Sequence, residues 1–172
     1  MNMTQIELQE QTIMVARKYF LRDDNRYGCA ESTYITLKTI FELPSPEDSS
    51  PAMALNGGIA YSGGMCGAIT GAALAVGELA GHLLADHRDA KKLARSTIQK
   101  LLEDFQKQFS SDQCRDLIPY QISIPSEHEK FIESGIWKTT CMRQIEFVVA
   151  RVILLKDENV WLGLDIMPQH KI

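Results

Sequence analysis

The sequence predicts an all-α protein, a compact bundle of about five helices, because apolar residues recur at helical intervals along most of the chain. A second observation is that polar turns and proline-rich segments interrupt this pattern and separate one helix from the next. A third is the length of 172 residues, which suits one ordinary domain with its own hydrophobic core. We therefore expect a single domain, with its core from about residue 10 to 155 and a C-terminal tail from 156 to 172.

Two helices are predicted before the first proline-rich segment. The first lies within residues 5 to 22, where Ile13, Ala16 and Phe20 share one face, and the polar turn RDDNRYG ends it. The second begins at Cys29 and stops before the segment LPSPEDSSP, because its three prolines cannot continue a helix. The second helix therefore begins at a cysteine.

The third predicted helix lies at the centre of the bundle. A short helical turn near residues 51 to 55 and the glycine-rich loop NGGIAYSGG precede it. The helix begins at Cys66 and reaches about residue 79 or beyond. Its small residues, among them Gly67 and Gly71, form a smooth face that lets a neighbouring helix approach closely.

The remaining helices are predicted in the second half of the chain. A long amphipathic helix spans about residues 89 to 109, and a short helical turn surrounds Cys114. Two prolines then mark an irregular segment that runs to about Ser134. The last helix runs from about residue 137 to 155 and carries Cys141 on its apolar stripe, and the tail segment NVWLGL has strand-like residues without a clear partner strand.

Composition and charge exclude several classes of function. The chain has 18 Lys and Arg residues against 22 Asp and Glu residues and no basic stripe interleaved with aromatic residues, so nucleic acid is not an expected partner. The N-terminus lacks the basic and continuously apolar regions of a signal peptide. The uncharged residues 49 to 77 contain several glycines and polar side chains, which favours a buried core helix over membrane insertion. We expect a cytoplasmic protein.

The candidate catalytic residues are the four cysteines, Cys29, Cys66, Cys114 and Cys141. In a reducing cytosol such a set indicates catalysis or metal binding more than structural disulfides. No CxxC pair occurs, so the fold must assemble any cluster. Cys66 follows a double glycine and opens a helix, whose free amide groups and positive dipole end are expected to lower the pKa of its thiol. Cys29 has the same arrangement on a smaller scale. Cys29, Cys66 and Cys114 lie at or near predicted helix starts, which we expect to converge, and Cys141, about one turn into its helix, is expected to face the same end.

Three interpretations of these cysteines are open. In the first, Cys66 is the reactive thiolate and the most acidic thiol, and another cysteine resolves it. In the second, all four thiolates hold an iron–sulfur cluster or zinc, for which four sulfurs are a sufficient ligand set. In the third, the cysteines only pack within a helical interaction module. The redox partner is not identified, and smooth small-residue helix faces favour a homodimer.

Other candidate groups are weaker. The four histidines match no zinc-ligand spacing and are expected on the surface: His82, His87, His128 and His170. Glu31 and Glu78 lie near the helices that begin at Cys29 and Cys66. Two roles are open for each: tuning the pKa of a thiol, or a capping or surface role. No serine-hydrolase elbow, phosphate-binding glycine loop or dinucleotide fingerprint occurs.

Four segments, YGCAES, GGMCGAITGA, CRDL and CMRQIEFVVARVI, together resemble the C_GCAxxG_C_C family of small bacterial and archaeal redox-active proteins. That family is defined by four invariant cysteines and a CGAxxG motif, which here spans Cys66 to Gly71. The resemblance covers roughly residues 10 to 155 and implies four functional cysteines used in redox or metal chemistry. The chain is also similar to the non-haem part of split-Soret cytochromes, which implies an iron–sulfur cluster. The absence of a CxxCH pattern excludes covalent c-type haem.

Overall fold

The computed structural model describes residues 4–157 and residue 160. This part of the chain is built from helices, with one isolated β-bridge and no strand, which confirms the all-α prediction. The α-helices are α1 (Gln5–Phe20), α2 (Cys29–Phe41), α3 (Gly67–Leu83), α4 (His87–Phe109), α5 (Cys114–Leu117), α6 (Pro125–Ser134) and α7 (Thr140–Val152). Short 3-10 helices cover Ser50–Leu55, Ile136–Lys138 and Ile153–Lys156. None of these helices combines the length and the apolar character that a membrane crossing requires.

The centre of the bundle is formed by α3, which packs against α2, α4 and α7. Its small residues let α2 come into backbone contact, as the sequence predicts. A Cβ atom built on Gly71 would lie 2.2 Å from the carbonyl oxygen of Ala30, so no larger residue fits between the two helices. A Cβ atom on Gly67 would lie 2.3 Å from the Cys29 sulfur. The close approach therefore brings the starts of α2 and α3 side by side.

The outer helices complete the core around this pair. Helix α1 packs against α2 and α7, and Phe20 at its end makes an edge-to-face contact with Trp137, with ring centroids 5.3 Å apart. Helix α4 contributes Leu101 and the fully buried Phe105, whose ring contacts Phe109 and Phe147. The polar side of α4 faces solvent, as its amphipathic sequence predicts.

Two boundaries in the second half of the chain differ from the prediction. The segment expected to be irregular as far as Ser134 contains helix α6, because Pro125 occupies the first helical turn, where it is favourable, and Gly135 ends the helix with a φ of +66°. The last α-helix begins at Thr140, and Trp137 belongs to a separate 3-10 turn before it. Apart from Val160, the tail segment NVWLGL lies outside the described residues.

Candidate thiol site

All four cysteines lie at helix starts. Cys29 is the first residue of α2, Cys66 is the N-cap of α3, Cys114 is the first residue of α5, and Cys141 is the second residue of α7. All are free thiols, and Cys29 raises the pKa of each of the other three. Cys66, Cys114 and Cys141 therefore all lie within electrostatic reach of Cys29.

The juxtaposition of Cys66 and Cys114 depends on a short backbone pairing between two loops. Met65 and Gln113 form an antiparallel bridge. On either side of it, the Cys66 N–H donates to the Asp112 carbonyl at 2.7 Å and the Cys114 N–H donates to the Gly64 carbonyl at 2.7 Å. The loop after the double glycine is therefore tied directly to the start of α5.

Three of the cysteines, Cys29, Cys114 and Cys141, line a cavity of about 160 Å³. Six large apolar side chains also line it: Phe20, Ile118, Ile122, Phe131, Ile132 and Trp137. Cys29 is partly exposed, whereas Cys114 and Cys141 are buried. A molecule that enters this cavity therefore meets Cys29 as the most accessible sulfur.

Cys66 lies outside the wall of this cavity, with 3% of its surface exposed. Its thiol donates to the Gln144 side-chain oxygen at 3.5 Å. Burial raises the pKa of Cys66, the neighbouring Cys29 raises it further, and the opposing amide groups of Ala68 and Ile69 do not compensate. The expectation that the helix N-terminus lowers the pKa of Cys66 is wrong, because loss of hydration outweighs the field of the helix N-terminus.

Cys29 has a different environment from Cys66. Burial of the sulfur raises its pKa, but four backbone N–H groups oppose this rise, those of Cys29 itself, Ala30, Gly57 and Gly67. Amide groups aimed at a sulfur stabilise the thiolate form. Burial followed by the effect of Cys29 raises the pKa of Cys114 to about 12, and burial is also the main cause of the raised pKa of Cys141. Cys29 thus combines access with a set of amide donors.

A buried polar network holds the segments around Cys29 together. The Glu31 carboxylate accepts hydrogen bonds from the Gly28 N–H at 3.0 Å, the Ser49 hydroxyl at 2.9 Å and the Asn56 amide at 2.8 Å. The Asn56 side-chain oxygen in turn accepts the Ala30 N–H at 2.9 Å. Glu31 therefore caps α2, and Asn56, which sequence reasoning missed, joins α2 to the glycine-rich loop. The polar Asn before two glycines is the signal that could have found it.

The glycine-rich loop forms a left-handed turn. Five consecutive residues, 57 to 61, have φ values between +49° and +74°. This conformation costs about 1–2 kcal/mol for each residue that carries a Cβ atom, and at Gly58 such an atom would lie 2.4 Å from the Gly64 nitrogen. The turn directs the Gly57 amide toward Cys29 and places Tyr61, which is 45% exposed, at the rim of the cavity.

The histidines have different positions. His82 and His87 are exposed, as expected, and His170 lies outside the described residues. The expectation of a surface position is wrong for His128, which is partly buried in the cavity wall, with its ring 4.7 Å from that of Tyr61. His128 lies one helical turn before the buried Phe131 in α6, and the two rings stack.

A family model described as "Putative redox-active protein (C_GCAxxG_C_C)" matches residues 27–153. The chain belongs to this family. The match begins just before Cys29 and ends just after α7, so it contains all four cysteines. No curated protein and no solved structure matches the chain.

Four thiolates are a sufficient set of ligands for zinc or for an iron–sulfur cluster. Within the described residues, however, no three His, Cys, Asp or Glu side chains are close enough together to hold an ion. As arranged in this structure, the four cysteines do not form a metal-ligand set.

Proposed function

We propose that the protein is a thiol–disulfide redox protein in which Cys29 is the attacking thiol and Cys114 the resolving thiol. The observation that carries this proposal is the position of Cys29. Cys29 is partly exposed in the wall of a cavity, and although burial raises the pKa of its thiol, four amide N–H groups oppose that rise. Accessible cysteines with stabilised thiolates are the ones that attack disulfides, whereas buried cysteines are inert.

The reaction transfers two electrons from the protein to a substrate disulfide. The Cys29 thiolate attacks one sulfur of the substrate, a new sulfur–sulfur bond forms, and the substrate bond breaks with its electron pair on the first leaving thiol. Cys114 then gives up its proton and attacks the Cys29 sulfur, which releases the second substrate thiol. The products are a Cys29–Cys114 disulfide and two reduced substrate thiols.

Cys114 is preferred as the resolving residue for two reasons. It lines the same cavity as Cys29. Burial and Cys29 raise its pKa to about 12, which is a smaller rise than that of Cys141, the other buried cysteine of the cavity wall. Cys66 lies outside the cavity wall and is engaged with Gln144, so we assign it no step in the exchange.

Pulse alkylation of the reduced, metal-free protein with iodoacetamide, followed by peptide mass analysis, tests the order of reactivity. We expect Cys29 to be labelled first and Cys66 only after unfolding. Mild oxidation with oxidised glutathione should then yield a peptide pair joined through Cys29 and Cys114. The Cys66→Ser variant is the matched control and should form the same pair, whereas Cys114→Ser should stop at a mixed disulfide on Cys29.

Two results would overturn the proposal. One is labelling of Cys66 before Cys29 in the folded protein. The other is a brown, anaerobically purified protein with stoichiometric iron and sulfide, or a colourless one with stoichiometric zinc, in which the metal protects all four thiols from alkylation. The second result would favour the metal-binding interpretation of the same cysteines.

A further inference from the structure

The size and lining of the cavity beside Cys29 limit what can reach its sulfur. An engineered apolar cavity of about 150 Å³ binds benzene, and the volume here is about 160 Å³. Ile118, Ile122, Phe131 and Trp137 are each less than 10% exposed and form its deep wall. The space therefore suits one aromatic ring or one branched apolar group.

The cavity wall carries a buried acidic side chain, Glu31, and an exposed basic side chain, Arg26. Both oxygens of the Glu31 carboxylate already accept hydrogen bonds. Arg26 is exposed in the same wall, and its guanidinium lies over the Tyr27 ring at 5.2 Å without an ion pair to any described residue. The nearby Asp24 is paired with Arg22 by two hydrogen bonds of 2.9 and 2.7 Å; it also accepts the Arg26 backbone N–H at 3.3 Å, and the Arg26 charge contributes to its lowered pKa without a direct ion pair. Arg26 is thus an available cation at the rim.

From this combination we infer the substrate class of the thiol site: a small organic disulfide with one apolar, ring-sized arm that enters the cavity and a carboxylate that pairs with Arg26. The inference rests on the proposed function, because Cys29 is the sulfur that attacks. The Cys29 sulfur bonds to one sulfur of the substrate, and the other sulfur leaves as a thiolate with the electron pair. An arginine is suited to this role, since its planar guanidinium pairs well with a carboxylate.

Two chromogenic aromatic disulfides separate the effect of a substrate carboxylate from the effect of its aromatic ring. The disulfide of thionitrobenzoate carries a carboxylate on each ring, and the disulfide of thiopyridine has no carboxylate. The reduced full-length chain is mixed with each reagent in a stopped-flow spectrometer, and the rate constant of the Cys29 phase is identified by its loss in Cys29→Ser. Arg26→Gln should slow the carboxylate reagent about two- to fivefold, the range expected for one partly exposed ion pair. It should leave the neutral reagent unchanged, and high salt should remove the difference.

The size of the pocket is tested with a matched pair of tryptophan substitutions. Ile132 lines the cavity and is 37% exposed, whereas Ile124 is 43% exposed and lies outside its wall. Ile132→Trp should slow both reagents, and Ile124→Trp should slow neither. Arg95→Gln, at an exposed position of α4 away from the cavity, is the control for a lost positive charge.

The outcomes separate this inference from the function on which it rests. Equal effects of Arg26→Gln on the two reagents, or rates unchanged by Ile132→Trp, would overturn the substrate class while leaving Cys29 as the attacking thiol. A reactive phase that survives in Cys29→Ser, or the absence of any phase before unfolding, would instead overturn the proposed function.

Discussion

Removal of the Asn56 side chain is expected to destabilise the protein by about 3 kcal/mol. Asn56 is 9% exposed, accepts the Ala30 N–H at 2.9 Å, and donates to the Glu31 carboxylate at 2.8 Å and to the Met53 carbonyl at 3.1 Å. The Asn56→Ala variant leaves a buried amide without a partner, at about 1–3 kcal/mol, and removes a hydrogen bond to a charged group, worth about 1.5–3 kcal/mol. Together these contributions give about 2.5–6 kcal/mol, and because they are not fully additive we expect a loss near the lower end of that range. Urea unfolding of the reduced protein, followed by far-UV circular dichroism, measures this free energy.

Asn56→Asp is the control that separates the two halves of the network. It keeps an acceptor for the Ala30 N–H but replaces the donor to Glu31 by a second carboxylate. Like-charge repulsion raises the pKa of the introduced Asp above its unfolded value of about 4. The variant therefore keeps its full stability below about pH 4 and loses stability as the pH rises through the folded pKa. We expect a larger loss at pH 8 than at pH 5.

The same site supplies the result that would refute this reasoning. If Asn56→Ala lies within about 0.5 kcal/mol of the parent protein, the usual size of a surface substitution, the network does not join α2 to the glycine-rich loop. Equal losses for Asn56→Asp at both pH values would show that the two carboxylates do not meet. The first result would refute the role of Asn56 in holding the Ala30 amide, and the second would refute its contact with Glu31.

Two further predictions concern helix packing and alkaline stability. Gly71→Ala should cost about 1–3 kcal/mol of unfolding free energy, because its Cβ atom would lie 2.2 Å from the Ala30 carbonyl oxygen. A Cβ atom on Gly77, in the same helix, would have no atom within 4 Å, so Gly77→Ala should stabilise the protein by about 0.5–1 kcal/mol. If the denaturation midpoints of Gly71→Ala and Gly77→Ala move in the same direction, the packing argument is wrong. Burial raises the pKa of the Cys66 thiol above its unfolded value of about 8.5. Above pH 8.5 the thiol therefore ionises in the unfolded protein before it ionises in the folded protein, and the folded protein loses stability as the pH rises. This loss should reach about 2 kcal/mol at pH 10. The unfolding free energy of Cys66→Ser should fall less steeply from pH 8.5 to 10 than that of the parent protein, and an equal slope would contradict this prediction.

Much of the helical architecture can be predicted from the sequence because its signals are local. The periodicity of apolar residues and the prolines after Phe41 predict the extent of α1 and α2, and the small residues after Cys66 predict a closely packed α3. The polar helix α6 was missed, since few of its residues are apolar and its start is marked mainly by Pro125. Membership of the redox family likewise depends on short local motifs, and the sequence alone indicated it.

The relative reactivity of the thiols could not be predicted in this way. Sequence reasoning recognised that Cys66 opens a helix, but it could not show that Gln144 of α7 packs against its sulfur. Nor could it show that amides from three separate segments surround Cys29, or that Arg26 and His128 share a cavity with it. Helix starts follow from neighbouring residues along the chain, and these the sequence determined by itself. Desolvation of a sulfur depends on which distant segments cover it, and only the tertiary structure decides that.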